Sequence, residues 1–78
     1  MLKLYLDMAQ VSIKQDKPRK AIFFCNLILD IEPENVKAMF RYGICLRTLG
    51  EYDRARSFLL KAYKLAPGNK DILDELLV

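Results

Sequence analysis

Apolar residues recur along this chain at the three-to-four spacing of an amphipathic helix, in runs separated by short polar or proline-bearing stretches. The pattern predicts helices over residues 2–15, 18–31, 36–48 and 52–65. A shorter stripe of Ile72, Leu73, Leu76 and Leu77 predicts a last helix within NKDILDELLV. The breaks agree with the runs. Gly50 suits a left-handed helix end, Asp16 tolerates the same conformation, and Pro18 fits a first helical turn. Pro67 stops the fourth helix, and Asn35 and Asn69 read as N-caps of the third and fifth. The fold class is therefore all-α.

The runs repeat. Pro33 and Pro67 stand 34 residues apart, as do Ala21 and Ala55, Phe24 and Phe58, Asn35 and Asn69, and Lys3 and Lys37. Paired helices with this period, an alanine in the second helix and a closing proline resemble the tetratricopeptide repeat. The second unit, VKAMFRYGICLRTLGEYDRARSFLLKAYKLAP, carries the resemblance at Gly43, Leu46, Gly50, Tyr52, Ala55, Ala62 and Pro67, with Met39 where the motif often has tryptophan. Small residues at Gly43 and Ala55 are expected where the two helices of a unit cross. In the first unit Ala9, Asp16 and Pro18 replace Gly43, Gly50 and Tyr52.

The expected architecture is a single helix-turn-helix array with repeats over 2–34 and 36–69 and a capping helix over 70–78. Such arrays usually need at least three repeats, so two plus a cap suggest a piece of a longer α-solenoid. A first helix carrying Leu2, Leu4, Tyr5 and Leu6 would then lack its usual neighbour, and self-association through that face is expected.

Composition narrows the class further. Of 78 residues, 53% are hydrophobic, a high share for one small domain and a hint of surface awaiting a partner. A net charge of +3 is no nucleic-acid footprint unless the cations cluster. No apolar run approaches the roughly 18 residues of a membrane span. Lys3 and Asp7 interrupt the N-terminal stretch, which does not read as a signal peptide. Cys25 and Cys45 lie inside apolar helical runs and read as buried, reduced thiols of a cytoplasmic protein. With no histidine in the chain, neither a zinc site nor any cofactor is expected.

Candidate chemistry begins at NVKAMFRYG, residues 35–43. Lys37 and Arg41, four apart, share one face of the third helix, and first helices line the concave groove of such arrays. The matching positions one repeat earlier are Lys3 and Asp7, with Gln10 and Ile44 a turn further on. Two cations in a concavity suit a carboxylate, Arg as a planar fork and Lys as a point charge. Equally, they are a solvated helix face, paired with Asp7 and Glu34. Periodicity alone leaves both readings open.

NVKAMFRYG together with LGEYDRARSFLLKAYKLAPGNKDI resembles the last repeat of the immunophilin co-chaperones, the FKBP-type peptidyl-prolyl isomerases. Within them it looks most like the divergent germline member of the piRNA pathway. The resemblance implies that Lys37 and Arg41 are half of a carboxylate clamp for the acidic C-terminal tail, Glu-Glu-Val-Asp, of a cytosolic heat-shock chaperone. It also puts Asp7 where the clamp has an asparagine. A carboxylate there cannot donate to the tail and repels it. Asp7 is instead expected to pair with Arg41, Lys37 or Lys3.

Other functions fit less well. Ser12, Thr48 and Ser57 are scattered and no nucleophile–base pair stands out, so an enzyme is not expected. Asp71, Asp74 and Glu75 read as a solvated face. Arg54, Arg56, Lys61 and Lys64 alternate with Phe58 and Tyr63, whose core-like spacing favours packing over base stacking.

Overall fold

The computed structural model describes residues 2–77, and Val78 of the expected cap lies outside them. Five helices follow one another: α1 (Leu2–Lys14), α2 (Pro18–Ile31), α3 (Val36–Thr48), α4 (Tyr52–Leu65) and α5 (Lys70–Leu77). The α1–α2 and α3–α4 hairpins stack through α2 and α3, and α5 packs on α4.

The period extends to the backbone hydrogen bonds. Asp16 takes φ 59° and Gly50 φ 83°, the left-handed conformation expected of both. After α1, Lys17 N donates to Ser12 O (2.8 Å) and Asp16 N to Ile13 O (3.0 Å). After α3, Glu51 N donates to Leu46 O (2.9 Å) and Gly50 N to Arg47 O (3.0 Å). These are the paired bonds of a Schellman turn, which satisfy carbonyls that a helix end leaves open. Different residues build one turn. Pro18 opens α2, where a missing N–H costs nothing.

Both asparagine caps form. Asn35 Oδ1 accepts from Ala38 N (3.0 Å), and Asn69 Oδ1 accepts from Asp71 N (2.9 Å) and Ile72 N (3.2 Å).

One core cluster joins Ala9, Cys25, Tyr42, Leu46 and Ala55, and a second joins Met39, Ala62 and Ile72. Phe58 stacks on Tyr42 at 4.3 Å with rings 5° from parallel, so it is core, as its spacing implied. Tyr63 packs on the second cluster. Gly43 lies where α3 packs tightly on α4. A Cβ there would lie 2.8 Å from Leu59 Cγ, 3.0 Å from Leu59 Cδ2 and 3.3 Å from the Ala55 carbonyl oxygen.

The last helix departs from expectation in two ways. Only Ile72 is fully buried and Leu76 half-buried, while Leu73 and Leu77 are exposed. Positions 72 and 76 share a face across one turn, and 73 and 77 are rotated about 100° away from it. Glu75 is half-buried rather than solvated: it pairs with Arg47 of α3, and the facing atoms Arg47 Nη1 and Glu75 Oε2 are shielded from solvent. Asp71 and Asp74 are exposed.

Cys25 and Cys45 are free and buried. Burial pushes the Cys25 thiol from 9.0 to about 12 and the Cys45 thiol from 9.0 to about 11.

Two outcomes follow. Gly43→Ala forces Leu59 aside and lowers stability by about 1 kcal/mol net of its gain in helix propensity, seen as a lower Tm in a circular-dichroism melt. Gly68→Ala, with nothing within 4 Å of its added Cβ, leaves Tm nearly unchanged. The thiols set an alkaline limit. Unfolded cysteines lose protons near 9.0 while the folded ones hold theirs, so stability is full below that pH and falls as pH rises toward 11. Denaturant titrations between pH 8 and 11 should show this slope, flattened in a Cys25→Ala/Cys45→Ala variant.

Candidate functional site

The α2–α3 turn positions the groove cations. Asn35 caps α3 with its side-chain oxygen and donates from Nδ2 to Glu32 Oε1 at 2.9 Å, closing the turn from both sides. Lys37 therefore stands in the first turn of α3, which contains no acidic residue. A cation there opposes the helix dipole, at a cost of about 0.3–1 kcal/mol. The same placement adds Lys37 to the positive end of the helix, so an anion in front of it meets both. Arg41 lies one turn on, half-buried against α1, and donates from Nη1 to the Leu6 carbonyl oxygen at 3.1 Å. One N–H of the guanidinium is thereby fixed, and the rest of the fork remains for a ligand.

Lys3, Asp7, Lys37 and Arg41 do come together. With Leu2, Leu6, Glu32 and Asn35 they line one hollow of about 440 Å³ at the seam between the repeats. A second hollow of about 220 Å³ shares Lys37 and Arg41 and adds Gln10, Val36, Phe40, Asn69 and Asp71. The two cations thus line both hollows, the second of which also carries Asp71 and the apolar side chains of Val36 and Phe40.

The expected ion pair of Asp7 does not form. Among the described residues the ion pairs are Arg47–Glu75 and Arg54–Glu51, and neither includes Asp7 or Glu34. Arg41 turns to the Leu6 carbonyl because that oxygen faces α3, whereas Asp7, about 100° further round α1, is exposed. Sequence reasoning weighed Glu34 and missed Glu32. The available clue was Glu32's spacing of three from the cap asparagine, within reach across one tight turn.

Arg54, Arg56, Lys61 and Lys64 are all exposed on α4, with Arg54 paired to Glu51 and Lys61 Nζ 5.6 Å from the Phe58 ring centroid. Among the described residues no cluster of three or more His, Cys, Asp or Glu is placed to hold a metal. No helix among them is long and apolar enough to cross a membrane.

The model described as tetratricopeptide repeat matches residues 12–74. The chain belongs to the tetratricopeptide repeat family. As a tetratricopeptide-repeat chain it is 41% identical over 76 residues to the inactive peptidyl-prolyl cis-trans isomerase FKBP6 of Mus musculus, covering 97% of this chain and 23% of that protein. It is 42% identical over 72 residues to the peptidyl-prolyl cis-trans isomerase FKBP42 of Arabidopsis thaliana, covering 92% and 20%. The C-terminal TPR-containing domain of a Plasmodium falciparum FK506-binding protein superposes with a TM-score of 0.92 at 31% identity, over 96% of this chain and half of that one. The likeness to FKBP-type immunophilins is therefore present in sequence and in structure. The chain spans between a fifth and a quarter of the length of these curated relatives.

The tie from Arg41 to Leu6 predicts a stability effect without any ligand. Arg41→Ala should cost about 1 kcal/mol, and amide exchange should quicken first in α1. Uniform loss of protection across all helices would contradict the tie.

Proposed function

We propose that this tetratricopeptide array is a non-catalytic protein-binding module of an immunophilin-like cytoplasmic protein. Its groove takes the acidic C-terminal tail of a heat-shock chaperone, with Lys37 and Arg41 gripping the tail's carboxylates. The observation that carries the reading is the pair itself. Two cations sit one turn apart on the first half of α3, beside a hollow, and the guanidinium is oriented by Leu6 rather than neutralised by a carboxylate. Any isomerase-like domain belongs to other parts of the parent protein.

Asp7 weakens this grip. It stands in the same hollow, cannot donate to a tail carboxylate, and repels it. Lys3 partly offsets that repulsion.

A second reading has its own support. Leu4 and Val11, two turns apart on α1, are exposed, as is Phe23 on α2. Exposed apolar side chains on the first hairpin fit a scaffold that dimerises or docks a partner other than the chaperone.

Calorimetric titration with a peptide ending in Glu-Glu-Val-Asp separates the two. Weak binding is expected for the unaltered chain, none for Lys37→Ala or Arg41→Ala, and about tenfold tighter binding for Asp7→Asn, equal to about 1.4 kcal/mol. Heat that survives both cation variants would remove the clamp. A concentration-dependent mass in sedimentation equilibrium, lost in Leu4→Glu, would then support the scaffold.

A further inference from the structure

The seam hollow holds charges of both signs, and its own side chains do not neutralise one another. Lys3, Lys37 and Arg41 face into it with Asp7 and Glu32, three cations against two carboxylates. Ion pairs among the described residues lie elsewhere, at Arg47–Glu75 and Arg54–Glu51. Glu32 is held in place before any ligand arrives, because Asn35 Nδ2 donates to its Oε1 while the same asparagine caps α3. Arg41 is held likewise by the Leu6 carbonyl oxygen. A fixed cation and a fixed anion thus share one concavity, with Leu2 and Leu6 as its apolar wall.

A uniformly acidic ligand, the chaperone tail included, finds a favourable contact in this hollow only for the carboxylate at Lys37 and Arg41. Each carboxylate beyond the one at Lys37 and Arg41 approaches Asp7 or Glu32, and like charges placed together across an interface are costly. Asp7 and Glu32 are exposed, so the repulsion is that of surface charges and is weakened by salt. A ligand carrying both signs turns the same groups into partners.

We infer that the hollow selects an extended peptide segment bearing a carboxylate and a Lys or Arg two residues apart, over a uniformly acidic segment. The carboxylate meets Lys37 and Arg41, the cation meets Asp7 and Glu32, and the inference rests on the carboxylate grip proposed above. The spacing follows from strand geometry: side chains on one side of an extended chain recur every second residue, about 7 Å apart. A hollow of about 440 Å³ admits two such side chains but no folded element. Leu2 and Leu6 cover the methylene stem of the ligand's Lys or Arg, leaving its charged head to the carboxylates. Selection of this kind works through repulsion of the wrong ligand as much as attraction of the right one.

The test uses fluorescence anisotropy with equal-length peptides containing Glu-Ala-Glu, Glu-Ala-Lys or Gln-Ala-Gln. The unaltered chain should bind the Glu-Ala-Lys peptide at least about fivefold more tightly than the Glu-Ala-Glu peptide. In Asp7→Asn/Glu32→Gln the order should reverse, since the glutamine retains an oxygen to accept from Asn35. Circular dichroism checks that the variant keeps its helices. Equal or tighter binding of Glu-Ala-Glu by the unaltered chain, still abolished by Lys37→Ala, would overturn the inference and leave the carboxylate grip standing. Binding of either peptide that ignores both Lys37→Ala and Arg41→Ala would remove the grip, and the inference with it.

Discussion

Gly43 lets the backbone of α3 lie against Leu59 and the Ala55 carbonyl oxygen of α4, and that separation fixes how α3 is turned. A helix cannot present two faces independently. Once Gly43 and Leu46 point at α4, the positions of Lys37 and Arg41 around the axis follow from the 100° step between residues. The groove is thus a by-product of a packing constraint. The first hairpin uses Ala9, fully buried, at the matching position, so both units place their first helices alike.

The helices were legible because apolar spacing, capping asparagines and left-handed turn residues all spoke for the same breaks. Asp16 illustrates why. Its side chain differs from Gly50, yet the constraint acts on φ, and aspartate meets it. What escaped was the part set by contacts across the chain. The Arg41 bond to Leu6 involves a backbone carbonyl, which has no residue type to betray it. The Arg47–Glu75 pair joins helices far apart in sequence, and Glu75 sat among Asp71 and Asp74 in what looked like a solvated face. Leu73 and Leu77 were misjudged because α5 meets its neighbours along one narrow stripe. Glu32 was overlooked since its importance comes from the turn it shares with Asn35.

These contacts change the character of the groove. Two lone cations would make a simple anion trap whose strength scaled with ligand charge. Instead the guanidinium is anchored to the neighbouring repeat, Lys37 strains against its own helix dipole, and two carboxylates stand nearby. A cation, Lys37, kept where the helix itself would rather have an anion is a local conflict, and such conflicts collect at sites kept for recognition. Val36 and Phe40, in the hollow just beyond the cations, add apolar surface beside Lys37, Arg41 and Asp71.

Asn35 joins these themes in one side chain. Its oxygen starts α3 and its nitrogen orients Glu32, so one amide serves the integrity of a helix and the charge pattern of a binding surface at once. Aspartate would keep the cap but lose the donor to Glu32; serine would keep a cap but is too short to span both. The start of α3 can therefore survive a substitution at this position that the hold on Glu32 cannot.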